Sequence, residues 1–241
     1  MSVSLRRPAS AWNLLRTVIR NLFDEIAGAS KGVRRGDLWR DDPKFTALLH
    51  EVSRRSQLNP AKLYALYQFA CNAAAISGDV AELGVFRGGS ARLLARTLPQ
   101  KTLHLFDTFQ GMPFHDASKD LHVAGDFADT TREAVGAFLA DCGNVSFHVG
   151  MFQDTMPALA GRRFALVHVD ADLYDSVRQC CEFFYPRLAD GGIMLFDDYG
   201  FVSCPGARVA VDQFFGGKPE TPVYLATGQS VVIRNRAAES A

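Results

Sequence analysis

A chain of 241 residues, 48% hydrophobic and 22% charged, is long enough to bury a full core and has an ordinary globular composition. Its 26 Lys and Arg balance 26 Asp and Glu, so overall charge points to neither nucleic acid nor an anionic membrane as partner. Five cysteines, an odd number without a C-x-x-C pair, argue against a disulfide framework or a Cys-ligated zinc and fit a reducing cytoplasm. No apolar run approaches the ~20 residues of a membrane-spanning helix, and Arg16 and Arg20 interrupt what would be the apolar part of an export signal.

In chain order, Leu15, Val18, Ile19, Leu22 and Ile26 share one face of a basic helix over residues 11–28, suited to a membrane surface or, more commonly for such a stripe, to packing on its own domain or on a second subunit. Residues 28–36, rich in Gly, Ser and Arg, break it. Two helices are expected at 42–57 and 60–77, the second started by Asn59 as N-cap and Pro60 in the first turn. From residue 79 the pattern alternates. Apolar runs at 79–83, 102–106, 145–149, 164–169 and 192–196 read as buried parallel strands, with helices at 89–98, 130–141, 152–159 and 173–188 between them. Thr130 and Glu133 read as a capping box. A helix at 206–215 and a hairpin of strands 222–226 and 229–234 complete the chain. The expected fold is α/β, a doubly wound, mostly parallel sheet closed by an antiparallel strand. Residues 1–58 form an N-terminal helical extension and residues 59–241 the main domain.

In an open α/β sheet, ligands bind beyond the carboxyl ends of the strands. The first strand leads into VAELGVFRGGS (residues 80–90). Gly84, Gly88 and Gly89 permit a tight turn into the next helix, but Phe86 stands where a G-x-G-x-x-G motif needs its second glycine. A dinucleotide pyrophosphate is therefore disfavoured. Glu82 would repel phosphate yet accept a hydrogen bond from an ammonium group. The second strand ends at Asp107, about 23 residues beyond Gly84, where a carboxylate accepts ribose hydroxyls or caps the following turn. Together these residues favour an adenosine-type ligand carrying an amino acid.

The fourth and fifth strands end in Asp170, Asp172, Asp197 and Asp198. Carboxylates clustered in this way repel one another, and a hard divalent cation such as Mg²⁺ removes the penalty. His104 and His168, inside strands, read as packed or hydrogen-bonded. His115 and His122 fall in the 108–127 segment, which has the length of a loop over an active site. Tyr174 and Tyr199 flank the aspartates and suit either a pocket wall or the core.

The stretches ELGVFRGGS (82–90), FDTFQGMP (106–113), GMFQDTMP (150–157), HVDADLYDS (168–176) and FDDYG (196–200) resemble, in matching order, the macrocin O-methyltransferase (TylF-type) family. The resemblance covers about residues 60–235. It implies a class I methyltransferase fold dependent on S-adenosylmethionine (SAM), with seven strands, and methylation of a hydroxyl on a sugar or natural-product acceptor with Mg²⁺. On that resemblance Asp170, Asp197 and Asp198 are the metal ligands and Asp172 the general base. Glu82, Gly84, Gly88, Ser90 and Asp107 belong to the SAM site, and Gly150, Met151 and Phe152 border the adenine, with Met151 standing where the family often has Trp. A homodimer is the favoured assembly. A nucleotide-dependent oxidoreductase and a non-catalytic scaffold on the same fold are the rival readings.

Overall fold

The computed structural model describes residues 37–113 and 116–235. The expected basic helix at 11–28, the break at 28–36 and His115 lie outside the described residues. The chain divides into a unit ending at Asp41 and a body beginning at Asp42. In the first unit, a 3-10 turn spans Leu38–Asp41 and Arg40 pairs with Asp37 at 2.8 Å.

The body opens with α1 (Pro43–Val52), whose first turn is capped by the Asp42 carboxylate accepting from Phe45 N at 3.0 Å. In α2 (Pro60–Ala73) the Asn59 side chain accepts from Lys62 N at 3.0 Å, the start that Asn-Pro announces. Then follow β1 (Asp79–Leu83), α3 (Gly89–Thr97) and β2 (Leu103–Asp107). Next come α4 (Arg132–Phe138), β3 (Val145–Val149), the short α5 (Phe152–Thr155) and β4 (Phe164–Val169). The chain continues through α6 (Tyr174–Phe184), β5 (Leu188–Phe196), α7 (Pro205–Phe215), β6 (Val223–Tyr224) and β7 (Ser230–Ile233).

Seven strands form one sheet in the order β3-β2-β1-β4-β5-β7-β6. The first five are parallel, while β7 runs antiparallel to β5 and β6 antiparallel to β7. This is the expected doubly wound sheet. Phe164, Val167, Val169, Phe184, Val211 and Phe215 fill the core on the side where α6 packs on α7. Across the sheet, Phe45, Val52, Leu63 and Leu66 of α1 and α2 are buried.

Several local expectations change: the helices expected at 42–57 and 60–77 end at Val52 and Ala73. The cap of α4 is Thr131, whose hydroxyl accepts from Ala134 N at 3.1 Å, because the Thr130 hydroxyl donates to Phe86 O at 2.6 Å instead. The helix expected to run to 188 is α-helical to Phe184 and continues as a 3-10 turn over Tyr185–Arg187, and β5 begins four residues before the anticipated strand, with an irregular register opposite Phe164 and Leu166.

Candidate active site

Parallel pairing sets the site. Val169 lies opposite Phe196, so the residues just past these strand ends, Asp170 and Asp197, leave the sheet side by side. Oxygens of Asp170, Asp197 and Asp198 all lie within 4.8 Å of one another. Asp172 sits in the same turn with φ at 53°, a left-handed backbone that few residues other than glycine adopt, and its N–H donates to Asp198 Oδ2 at 3.1 Å.

The charges in this cluster are unevenly balanced. Burial, then repulsion from Asp197, pushes the Asp170 carboxyl well above the ordinary carboxylate value. Burial together with Asp172, Asp170 and Asp197 does the same to Asp198. Asp172 is raised by burial, partly offset by the Cys204 thiol, which donates to Oδ1 at 3.2 Å, and by His122. Asp197 goes the other way. Burial disfavours its charge, but His168 and Lys62 outweigh this and hold it below the ordinary value.

Lys62 reaches over from α2 and donates to Asp197 Oδ2 and, at 3.1 Å, to its main-chain oxygen, with Phe201 beneath the ammonium at 3.8 Å. Gln229 donates to Asp197 Oδ1 at 2.9 Å. His168 Nε2 lies 3.8 Å from the same oxygen, too far for a hydrogen bond but close enough for an ion pair. On its other side His168 Nδ1 meets Glu82 Oε1 at 3.0 Å. Burial opposes a charge on His168, yet the carboxylates on both sides push its pKa up to about 10. Like His104, held between His148 and Asp79, it is a packed, hydrogen-bonded histidine as expected.

A cavity of about 470 Å³ opens onto the aspartates. Gly84, Ser90, Asp107, Met151 and Phe152 line it; Glu82, Gly88 and Gly150 are not in the lining. Glu82 is fully buried, and its Oε2 has no hydrogen-bond partner among the described residues. Gly84, at φ 86°, passes so close to β4 that a Cβ there would meet Asp170 O at 1.8 Å. Gly88 begins α3 at φ 83° and gives room to Val135 of α4.

Asp107 does more than end its strand. One oxygen accepts from Val85 N at 2.8 Å and Phe86 N at 2.9 Å, and the other from Phe109 N at 2.7 Å. Phe86 and Phe109 both have positive φ, 50° and 53°, so the carboxylate holds two strained turns at the cavity wall.

Several residues around the aspartates carried no local signal in the sequence. Lys62, in the cavity lining, and Gln229, behind it, reach Asp197 from 135 and 32 residues away. Cys204 lies against Asp172 beside His122, which the loop length had pointed to, and residues 55–58 form part of the wall. Tyr174 and Tyr199 instead hydrogen-bond Gln213 and Asp212 on α7, at 2.7 and 2.6 Å.

A seven-stranded sheet of this order, with glycine-turned and acidic strand ends around one cavity, defines a class I methyltransferase architecture. The family model for macrocin O-methyltransferase (TylF) matches residues 33–219, and the chain belongs to that family. It is 31% identical over 182 residues to the 8-demethyl-8-(2,3-dimethoxy-alpha-L-rhamnosyl)-tetracenomycin-C 4'-O-methyltransferase of Streptomyces olivaceus, covering 68% of this chain and 69% of that one. It is 34% identical over 157 residues to the mycinamicin III 3''-O-methyltransferase of Micromonospora griseorubida, covering 58% of this chain and 61% of that one, under two thirds of its length. The solved O-methyltransferase NovP superposes with a TM-score of 0.66 at 25% identity, over 76% of this chain and 83% of NovP. The chain is thus an O-methyltransferase with SAM as methyl donor, and the oxidoreductase reading is set aside. No helix among the described residues is long and apolar enough to cross a membrane.

Proposed function

We propose that this chain methylates a hydroxyl of a sugar or sugar-bearing natural product, with Mg²⁺ held by Asp170, Asp197 and Asp198 and with Asp172 as general base. The observation that carries the reading is the three-aspartate cluster. All its donors are oxygens, the set that suits a hard cation. With Lys62 and His168 set against Asp170, Asp197, Asp198 and Glu82, the ionised cluster keeps an excess of negative charge, which a divalent ion offsets.

When bound, SAM supplies an electrophilic methyl group and Mg²⁺ supplies positive charge that orients acceptor oxygens and eases loss of the hydroxyl proton. The chain's part is positioning. Asp172, aimed by its left-handed turn toward the cavity, takes that proton. Glu82 receives the SAM ammonium, Asp107 the ribose, and Met151 with Phe152 the adenine; Gly84 and Ser90 border the cofactor, and Gly88 and Gly150 belong to the turns behind that wall. Asp107 retains accepting capacity beyond its three backbone partners. The acceptor class is supported by the Streptomyces olivaceus relative, named for 4'-O-methylation of a rhamnosyl-tetracenomycin.

The expected extension over residues 1–58 contributes its last residues, 55–58, to the cavity wall, and a homodimer is the assembly proposed. The unpaired state of all five cysteines supports a cytoplasmic setting.

The decisive experiment is Asp172→Asn. Turnover should fall by about 10²–10⁴-fold, the usual worth of a general base, with SAM and Mg²⁺ binding near normal by calorimetry. Normal turnover in that variant overturns the role. Full activity after exhaustive chelation overturns the metal.

A further inference from the structure

We propose that His122, Asp172 and Cys204 form a second cation site beside the three-aspartate cluster, selective for a soft divalent ion of the zinc type. The three ligand atoms come from separate parts of the chain: the loop after β2, the turn after β4 and the residue before α7. His122 Nε2 lies 3.7 Å from Asp172 Oδ1, and Cys204 Sγ lies 3.2 Å from that oxygen and 3.6 Å from Nε2. Around a tetrahedral zinc with bonds of about 2.0–2.3 Å, neighbouring ligand atoms are separated by roughly 3.3–3.6 Å. The triangle therefore has close to the dimensions of one face of a zinc tetrahedron before any ion is added.

The surroundings fit the same purpose. His122 Nδ1 faces Asp126 Oδ2 at 3.1 Å. A carboxylate there keeps the proton on Nδ1 and leaves the Nε2 lone pair directed at Asp172 and Cys204, the usual support of a metal-bound histidine. The loop carrying His122 is fixed at two points. Asp120 Oδ1 accepts from Tyr174 N at 2.8 Å, and Met112 N donates to Asp126 O at 2.8 Å. All three ligands line the cavity, so a fourth position is open to water. One nitrogen, one oxygen and one sulfur suit zinc, whereas the neighbouring set of oxygens alone suits Mg²⁺.

Binding replaces the Cys204 thiol proton, which passes to solvent, and involves no change of oxidation state. An ion held here takes Asp172, so zinc silences turnover without displacing Mg²⁺. This consequence, unlike the site itself, rests on the general-base reading of Asp172.

The test is titration of the full-length chain with cobalt(II), under saturating Mg²⁺. The expected result is a thiolate-to-cobalt charge-transfer band in the near ultraviolet and intense tetrahedral bands in the visible, saturating with a single equivalent. Cys204→Ser should abolish the charge-transfer band, and Asp126→Asn should weaken the affinity about 10–100-fold. Asp170→Asn, outside the triangle, should retain the bands. Absence of the band from the wild-type chain, or its persistence in Cys204→Ser, overturns the proposal. Zinc chloride should then inhibit the wild-type enzyme but not Cys204→Ser. Because the optical signal does not depend on turnover, it survives failure of the Asp172 base assignment, and the two failures remain distinguishable.

Discussion

The ammonium of Lys62, on α2, donates to both the side chain and the main-chain oxygen of Asp197, 135 residues away, and both residues are buried. Removing one partner of a buried ion pair leaves the other charge uncompensated. Lys62→Met should therefore destabilise the chelated protein by about 3–5 kcal/mol, measured by urea unfolding. Added Mg²⁺ should recover part of the loss, since a cation near Asp197 replaces the missing charge.

Asp170 and Asp198 carry the opposite penalty, for burial and mutual repulsion raise both carboxyls well above the ordinary value. Asp170→Asn should thus raise the melting temperature of the chelated protein at neutral pH. The same change should abolish stabilisation by Mg²⁺. A variant that melts lower than wild type in chelator contradicts the charge argument.

The direction of the pH dependence follows. These two carboxyls bind protons more tightly in the folded chain, so stability of the chelated protein falls as pH rises from the ordinary 3.8 through their raised values. His168 adds to the trend: the stability from its raised pKa is complete below 6.5 and is lost as pH rises through about 10. Asp197, depressed, acts only at the acid end, where its contribution disappears as pH falls through its lowered value. Melting in chelator should decline between pH 6.5 and 10, and a flat profile would sink the assignment.

Asp107→Ala should cost several kcal/mol, because three backbone N–H groups lose their acceptor and two positive-φ phenylalanines lose their restraint. A net hydrogen bond to a charged group is worth about 1.5–3 kcal/mol. Thermal melting without SAM isolates this effect from any ribose contact.

Two glycines with similar φ should behave differently. Gly84→Ala places a Cβ 1.8 Å from Asp170 O and should cost more than about 4 kcal/mol, enough to prevent soluble expression. Gly125→Ala meets nothing within 4 Å, so only backbone strain of about 1–3 kcal/mol remains. Circular dichroism melts of the two variants check the contrast.

Much of this arrangement is written locally. Asn59-Pro60 announces a helix start, strand–helix alternation announces the parallel sheet, and the strand ends place Asp170, Asp172, Asp197 and Asp198 at one edge. Each depends on neighbours a few residues away, where side-chain period and capping chemistry act directly. Local chemistry also misleads where a competing partner is close only in space. Thr130 gives up its cap to bond Phe86, and Thr131 takes it.

The partners of the aspartates were decided by the tertiary structure alone. Nothing in the spacing of the five cysteines suggests a ligand set, since Cys204 meets His122 and Asp172 only when α7, the 108–127 loop and the β4 turn converge. Lys62 and Gln229 likewise reach Asp197 because α2 packs over β5 and β7 pairs beside it. The sequence determined which chemical groups end the strands, because period and strand length are local. Packing across 32 to 135 residues chose which ammonium offsets their charge and which amide and thiol donate to them, because contacts between distant segments obey shape and charge rather than spacing.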